Sequence, residues 1–450
     1  MNIILLSGGS GKRLWPLSND IRSKQFLKIL KKSDGTYESM VERVYRQIIS
    51  IDKAANITIA TSESQVPMLK NQLGENISIS IEPCRRDTFP AIALACMYLK
   101  DVKSVNEDDT VIISPVDPYV EDDYFKCLKE LDYKMKSSRN NIGLIGIKPT
   151  YPSEKYGYIV PVGASTASPN CRGEHCEPEL IVDKFVEKPT ESKANDLIAS
   201  GALWNGGVFC FKLKYIIGKA HELIDFTDYK DLYNKYETLT KISFDYAVVE
   251  KEKNIDVVKY DGEWKDIGTW NTLTEVMNES TVGNVIIDDK SKNTSVINEL
   301  NLPIIAIGLN DIVVAASHDG IFVSNKGESS YNKPLVEKLD NRPMYEERAW
   351  GDFKVLDIYK NSLTKHLFIK KGKSLSYQKH NHRDETWTIV DGTGIFILDG
   401  VEKNVKQGDV LIIKKGQKHM LKAIEDLHFI EVQYGEEISE DDIERYEYER

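Results

Sequence analysis

The chain has 450 residues, 41% of them hydrophobic and 29% charged, with a formal net charge of −11. That length supplies core for two or three domains, and the composition excludes a disordered or low-complexity chain. The acidic balance argues against a nucleic-acid partner, so an anionic ligand has to be met by local cations. Six cysteines (Cys84, Cys96, Cys127, Cys171, Cys176 and Cys210) show no framework spacing, which predicts a reducing compartment. No long apolar segment follows the N-terminal strand and no basic leader precedes it, so a cytoplasmic protein without a membrane partner is expected.

In chain order, Ile3 to Leu6 reads as a buried first strand, and Gly8-Gly9-Ser10-Gly11-Lys12-Arg13 follows at once. Strand, glycine turn and cations together make a phosphate-holding loop: backbone N–H groups approach closely and positive side chains neutralise charge. Two common phosphate loops are excluded. Arg13 stands where the Walker pattern needs Ser or Thr, and Leu14 where the dinucleotide fingerprint needs a third glycine. Apolar β-type runs (Ile57–Ala60, Thr110–Ile113, Ile142–Gly146) then alternate with helical stretches (Pro90 to Lys100, Tyr124 to Ser137), the pattern of an α/β domain. From Gly283 to Asn325 short runs such as Val285–Ile287 and Ile312–Ala315 are separated by Asn, Asp and Gly, predicting a small sheet or a few β-helix coils. A polar connection from Lys326 to Pro343 marks a boundary, and short strands from about Trp350 predict a β-barrel or jelly roll.

Asp117 ends the run Ile113-Ser114-Pro115-Val116, the edge where open α/β sheets collect ligands; a turn-capping role is the plainer alternative. Asp266, set among Trp264, Gly268 and Trp270, is either a packed turn or a second carboxylate. Converging on a triphosphate, Asp117 and Asp266 would hold Mg²⁺. Near the C-terminus His380-Asn381-His382-Arg383-Asp384-Glu385 is followed by His419. On a strand His380 and His382 share a face, Glu385 needs a bend to join them, and His419 arrives from a neighbouring strand. Such a mixed N and O set suits Zn²⁺, Mn²⁺, Fe²⁺, Co²⁺ or Ni²⁺, whereas a lone surface His-x-His would be solvated. Cys171, His175 and Cys176 lack a fourth ligand, and a solvated loop is the preferred reading over zinc.

The stretch Gly8 to Ser18, with Lys24-Gln25-Phe26-Leu27, resembles the signature of the sugar-1-phosphate nucleotidyltransferases and, among them, the mannose-1-phosphate guanylyltransferases. Ser23 replaces the usual proline before the lysine, and Pro118 the usual histidine after Asp117. The resemblance implies a Rossmann-like, GT-A type α/β domain over residues 1–280 and a β-rich, β-helix-like segment over 281–338. Arg13 and Lys24 would clamp charge while Asp117 and Asp266 share Mg²⁺. Leu6, Gly8, Gly9, Ser10, Gly11 and Lys12 would face the nucleotide, as would Glu82, Arg86 and Asp87 of a segment resembling the guanine pocket. Gly157, Tyr158, Glu187, Lys188, Asn205 and Asp245 match sugar-side motifs. Implied partners are GTP and mannose 1-phosphate, with attack in line on the α-phosphorus and departure of pyrophosphate.

Gln378 to Trp387 resembles the cupin motif of the type II phosphomannose isomerases, which implies a cupin β-barrel over residues 339–450. His380, His382, Glu385 and His419 would hold a transition metal such as Zn²⁺, Co²⁺ or Mn²⁺, and Arg383 and Arg445 would meet the phosphate or the enediolate. The substrates implied are hexose 6-phosphates. Lys414 replaces a frequent proline, and the family's final Tyr-Gly-Arg is not reproduced. The expectation is a two-headed enzyme, assembled as a homodimer; the alternatives are a guanylyltransferase whose cupin is not catalytic and a nucleotide-sugar binding protein without turnover.

Overall fold

The computed structural model describes residues 1–9, 11–162, 182–277, 279–339, 342–439 and 441–448. Ser10 and the Cys171, His175 and Cys176 cluster lie outside the described residues. The chain divides into two compact units, one of residues 1–10 and 24–278, the other of residues 11–23 and 279–450.

The first unit is built on a nine-stranded mixed sheet. Strand Asn2–Leu6 lies centrally, parallel to Asn56–Ser62 on one side and to Thr110–Pro115 on the other. Its residues Ile3, Ile4 and Leu5 are fully buried, as expected of a strand covered on both faces. Antiparallel Leu203–Lys212 reverses the direction beside Thr110–Pro115 and also pairs with Ile142–Ile147 and Tyr158–Pro161. Helix Thr88–Asp101 is apolar nearly all round and joins the core with Phe209, Phe211 and Phe244, whereas helix Asp122–Ser137 buries one face. Acidic residues open the latter (Asp122, Asp123) and lysines close it (Lys134, Lys136), matching its dipole. The strand ends place Gly8 and Gly9 after Leu6, and Asp117 after Pro115.

In the second unit the β-rich segment forms parallel rungs. Thr281–Val282, Ser295–Asn298 and Ile312–Ser317 stack in one sheet, and Val285–Ile287 pairs with Ile304–Ala306 in another. The hairpin partner Gly320–Asn325 closes the first of these. This is the coiled alternative that the Asn, Asp and Gly spacers allowed. The polar connection is not bare: it contains the short helix Lys333–Val336, with Asn332 and Val336 buried. A barrel follows, of six antiparallel strands facing five, with Trp387, Phe429, Leu421 and Ile369 between them. Residues 11–23, adjacent in sequence to the first strand, group with this unit rather than with the α/β sheet.

Candidate active sites

At the edge of the α/β sheet, Lys24 Nζ lies 2.7 Å from Asp117 Oδ2 and 3.4 Å from Asp266 Oδ1. Chain geometry produces the meeting. Lys24 opens a single 3₁₀ turn, Lys24–Phe26, while Trp264–Asp266 pairs antiparallel with Pro118–Val120, setting Asp266 opposite Pro118. Burial opposes the Lys24 charge, but Asp117 and Asp266 outweigh it and hold the ammonium above its ordinary range. Two carboxylates around one cationic position, with oxygen donors only, fit Mg²⁺ completed by phosphate oxygens.

In the same unit a cavity of about 220 Å³ is lined by Leu6, Gly8, Gly9, Glu82, Arg85 and Asp87, among others. A Cβ added at Gly8 or Gly9 would meet only open space, so this turn leaves room above the backbone for a ligand. Burial raises the Glu82 pKa, and its Oε2 accepts from the Tyr236 hydroxyl at 2.9 Å. Asp87 caps helix Thr88–Asp101, accepting from the Thr88 N–H at 2.7 Å. Arg86 corrects the expectation: its guanidinium donates to the Glu237 carbonyl, while Arg85 lines the cavity and donates to Gly9 O at 2.8 Å. Neighbouring arginines give no sequence signal for which of them turns inward. Lys12 and Arg13 fall in the second unit, where Lys12 Nζ lies 3.5 Å from Asp20.

Among the sugar-side residues, Asn205 Nδ2 donates to Asp245 Oδ1 at 2.8 Å and Asn205 Oδ1 accepts from the Gly207 N–H at 3.1 Å. Burial, then the charge of Glu187, pushes the Asp245 carboxyl up to about 7. Glu187 pairs with Lys188 and reaches Gly157, where a Cβ would come within 2.5 Å of Glu187 Oε2. Tyr158 differs from expectation. It is fully buried, and its hydroxyl bridges the Ser153 N–H (2.9 Å) and Ser153 O (3.0 Å), so it serves a turn rather than a ligand.

The barrel holds a second site. His380, Glu385 and His419 offer ligand atoms that all lie within 4.8 Å of one another, and all three residues are buried. His380 Nδ1 donates to Asp442 O at 2.7 Å and His419 Nδ1 donates to Gln417 O at 3.0 Å. Both rings therefore turn Nε2 toward Glu385, at 3.2 and 3.6 Å. His419 Nε2 is buried with no hydrogen-bond partner, and burial pushes that imidazole down to about 4, keeping it neutral. Arg383 donates to Glu385 Oε1 at 3.0 Å and reaches His380 Nε2 at 3.4 Å, which leaves the His419 lone pair unmet; two imidazole nitrogens and a carboxylate in a dry interior are a donor set that fits a divalent transition metal.

His382 does not join them. Asn381 and His382 lie in the bend between strands Tyr377–Lys379 and Arg383–Asp391; His382 is exposed, and its N–H donates to Asp442 at 3.1 Å. One continuous strand would have put His380 and His382 on a common face; the bend between two strands parts them. After the bend, Arg383, Glu385 and Trp387 share the inner face. Glu385 Oε1 accepts from Arg383 Nε (3.0 Å) and Gln433 Nε2 (3.3 Å), and Oε2 from Trp387 Nε1 (3.1 Å). Arg383 is buried and also donates to Ser439 O at 2.7 Å, whereas Arg445 is exposed, opposite Gln378 in the ladder. Gln433 and Glu431 were missed as inward residues, although the period-2 pattern of Glu431-Val432-Gln433 carries that signal.

The family model described as Nucleotidyl transferase matches residues 2–282, and that described as Mannose-6-phosphate isomerase C-terminal matches residues 338–448. The mannose-1-phosphate guanylyltransferase of Salmonella montevideo is 30% identical, the alignment covering 98% of each chain. The alginate biosynthesis protein AlgA of Pseudomonas putida is 30% identical over 99% of this chain and 95% of its own. Among solved structures, one described as a mannose-1-phosphate geranyltransferase from Thermus thermophilus superposes with a TM-score of 0.60 at 25% identity. That match covers 75% of this chain and 98% of the other.

Proposed function

This chain belongs to the nucleotidyl transferase family, and from that premise we propose that it makes GDP-mannose and pyrophosphate from GTP and mannose 1-phosphate. Its barrel is proposed to interconvert fructose 6-phosphate and mannose 6-phosphate. The observation that carries the first reading is the meeting of Lys24, Asp117 and Asp266 in the unit that also holds the Gly8–Gly9 cavity. A phosphate oxygen of the sugar phosphate attacks the α-phosphorus of GTP in line, and the bond to the β-phosphate oxygen breaks. Lys24, Arg13 and Lys12 are assigned to the charge on the triphosphate and departing pyrophosphate. Asp117 and Asp266 would hold Mg²⁺, which when bound neutralises phosphate charge and aligns the reacting groups. Glu82, Arg85 and Asp87 face the base, and Glu187 and Asp245 accept from sugar hydroxyls, with Asn205 orienting Asp245.

In the barrel, His380, Glu385 and His419 would hold a metal such as Zn²⁺, Co²⁺ or Mn²⁺, which when bound polarises the oxygens at C1 and C2. Gln433 and Arg383 orient Glu385, and exposed Arg445 is assigned to the phosphate. Mannose 6-phosphate must become mannose 1-phosphate before the first site can use it, so a mutase-type reaction separates the two activities.

The test offers purified protein GTP or ATP with mannose 1-phosphate, and separately fructose 6-phosphate, with and without EDTA. Expected are pyrophosphate release with GTP, and an isomerisation lost on chelation and restored by a divalent metal. No pyrophosphate with either nucleotide overturns the first reading; isomerisation indifferent to EDTA overturns the second. Arg13→Ala is expected to lower guanylyl transfer about 10²–10³-fold with isomerisation intact.

A further inference from the structure

We propose that the β-rich segment is a positioning platform for the loop of residues 11–23, with Glu299 and Asp319 as positioning residues for nucleotide transfer. The inference rests on the guanylyl-transfer reading, in which that loop supplies Lys12 and Arg13. The loop contains one 3₁₀ turn, Lys12–Leu14, and no other helix or strand; its own bonds, such as Asn19 Oδ1 accepting from the Ile21 and Arg22 N–H groups at 3.0 and 2.8 Å, close local turns. What orients those turns is the segment they are fastened to.

The fastening is dense. Arg22 grips Glu299 with both guanidinium nitrogens, at 2.7 and 2.8 Å, and the pair is largely shielded, with 15% and 26% of the side chains exposed. A paired fork of this kind fixes orientation as well as distance. Asn19 Nδ2 donates to Asp319 Oδ2 at 2.9 Å, while Asp319 Oδ1 accepts from the Met344 N–H at 2.8 Å. One carboxylate thus holds both the loop and the chain entering the barrel. Ser317 Oγ donates to Pro16 O at 2.6 Å, and Asn332 Nδ2 donates to Arg13 O at 2.9 Å, fixing the backbone at one of the cations itself. The Trp15 ring lies over Gly320, where a Cβ would come within 2.6 Å of it. Gly11, at φ +51°, lets the loop fold back so closely that a Cβ would lie 2.7 Å from Asn19 O.

Cations on such a loop stabilise a triphosphate in proportion to how well they are held before it arrives. A loop held from beneath by another segment presents them already placed. An ion pair that merely glued the β-rich segment together would instead change the amount of folded enzyme, not its affinity for one substrate.

The experiment uses the full-length protein with Glu299→Gln, Asp319→Ala, Arg22→Glu and the exchanged pair Arg22→Glu/Glu299→Arg. Glu299→Gln and Asp319→Ala are expected to raise the KM for GTP about tenfold to a hundredfold. The KM for mannose 1-phosphate and the isomerisation rate stay unchanged. The exchanged pair recovers GTP affinity relative to Arg22→Glu alone. An unchanged KM for GTP in both single variants overturns the proposal, as does a fall in kcat with both KM values intact. Should Glu299→Gln fail to fold, judged by lost isomerisation, Asp319→Ala carries the same prediction. If the native protein releases no pyrophosphate from GTP, the transfer reading has failed by itself. The positioning role is then read from the calorimetric Kd for GTP in the same variants, and an unchanged Kd overturns it.

Discussion

Asp117 and Asp266 keep 36% and 38% of their side-chain surface exposed around Lys24, whereas Glu385 in the barrel is 1% exposed between two buried histidines. The first cluster stands at an open sheet edge, where water screens its charges until an anionic ligand displaces it. The second is finished by the fold: every acceptor position of Glu385 is directed at a named donor or at an imidazole. Two carboxylates and one ammonium leave that edge net negative, so a polyanionic ligand there needs a further cation beside it. A dry cluster suits an ion held away from solvent. What the contrast teaches is that one chain can hold two carboxylate clusters whose access to solvent the fold sets separately.

The sharpest way to break the comparison is Lys24→Ala. It leaves Asp117 and Asp266 facing one another, and pyrophosphate release is expected to fall about 10²–10³-fold while isomerisation is untouched. Loss of both activities together would show that the two clusters are not independent. Next in size is Gln433→Leu, which removes the donor shared by Glu385 (3.3 Å) and Glu431 (2.7 Å). Metal affinity measured by competition with a chelator is expected to weaken about 10–100-fold, with guanylyl transfer unchanged.

A third test, read in stability rather than in activity or metal affinity, concerns Asp245, whose carboxyl is pushed up to about 7 from an ordinary 3.8, first by burial and then by Glu187. The unfolded chain releases this proton near the ordinary value and the folded chain only near 7. Between those two values the folded state binds more protons, so stability falls as pH rises, and the full penalty is present above pH 7. Asp245→Asn removes a penalty on the order of 2–4 kcal/mol. Its melting temperature is expected to exceed that of the native protein at pH 8 and to match it near pH 4, by thermal denaturation across pH.

Much of the layout was legible because it rests on local periodicity. The buried run Ile3–Leu6, the strand Thr110–Pro115, the apolar helix after Asp87 and the short strands of the barrel all announce themselves through spacing of apolar residues. Lys24, Asp117 and Asp266 were legible as candidates, with a turn cap or a packed turn the plain alternative for each carboxylate; that the three side chains meet was not. Tyr158 was not: its sequence cannot say that a buried hydroxyl is consumed by Ser153. Likewise the polar stretch before Pro343 looked empty, yet Asn332 there reaches Arg13 O.

By itself, then, the sequence determined the kinds of element, their order, and the residue types able to bind phosphate or metal, because these follow from side-chain chemistry and a periodicity of two or 3.6. Tertiary structure alone decided that Arg85 rather than Arg86 lines the cavity, and that His380 meets Glu385 across a bend that leaves His382 outside. It alone decided that residues 11–23 are fastened to the β-rich segment. The second depends on backbone direction at a bend, and the first and third on partners far off in the chain, with 76 residues between Arg85 and Gly9 and 277 between Arg22 and Glu299. No local pattern encodes contacts at that range.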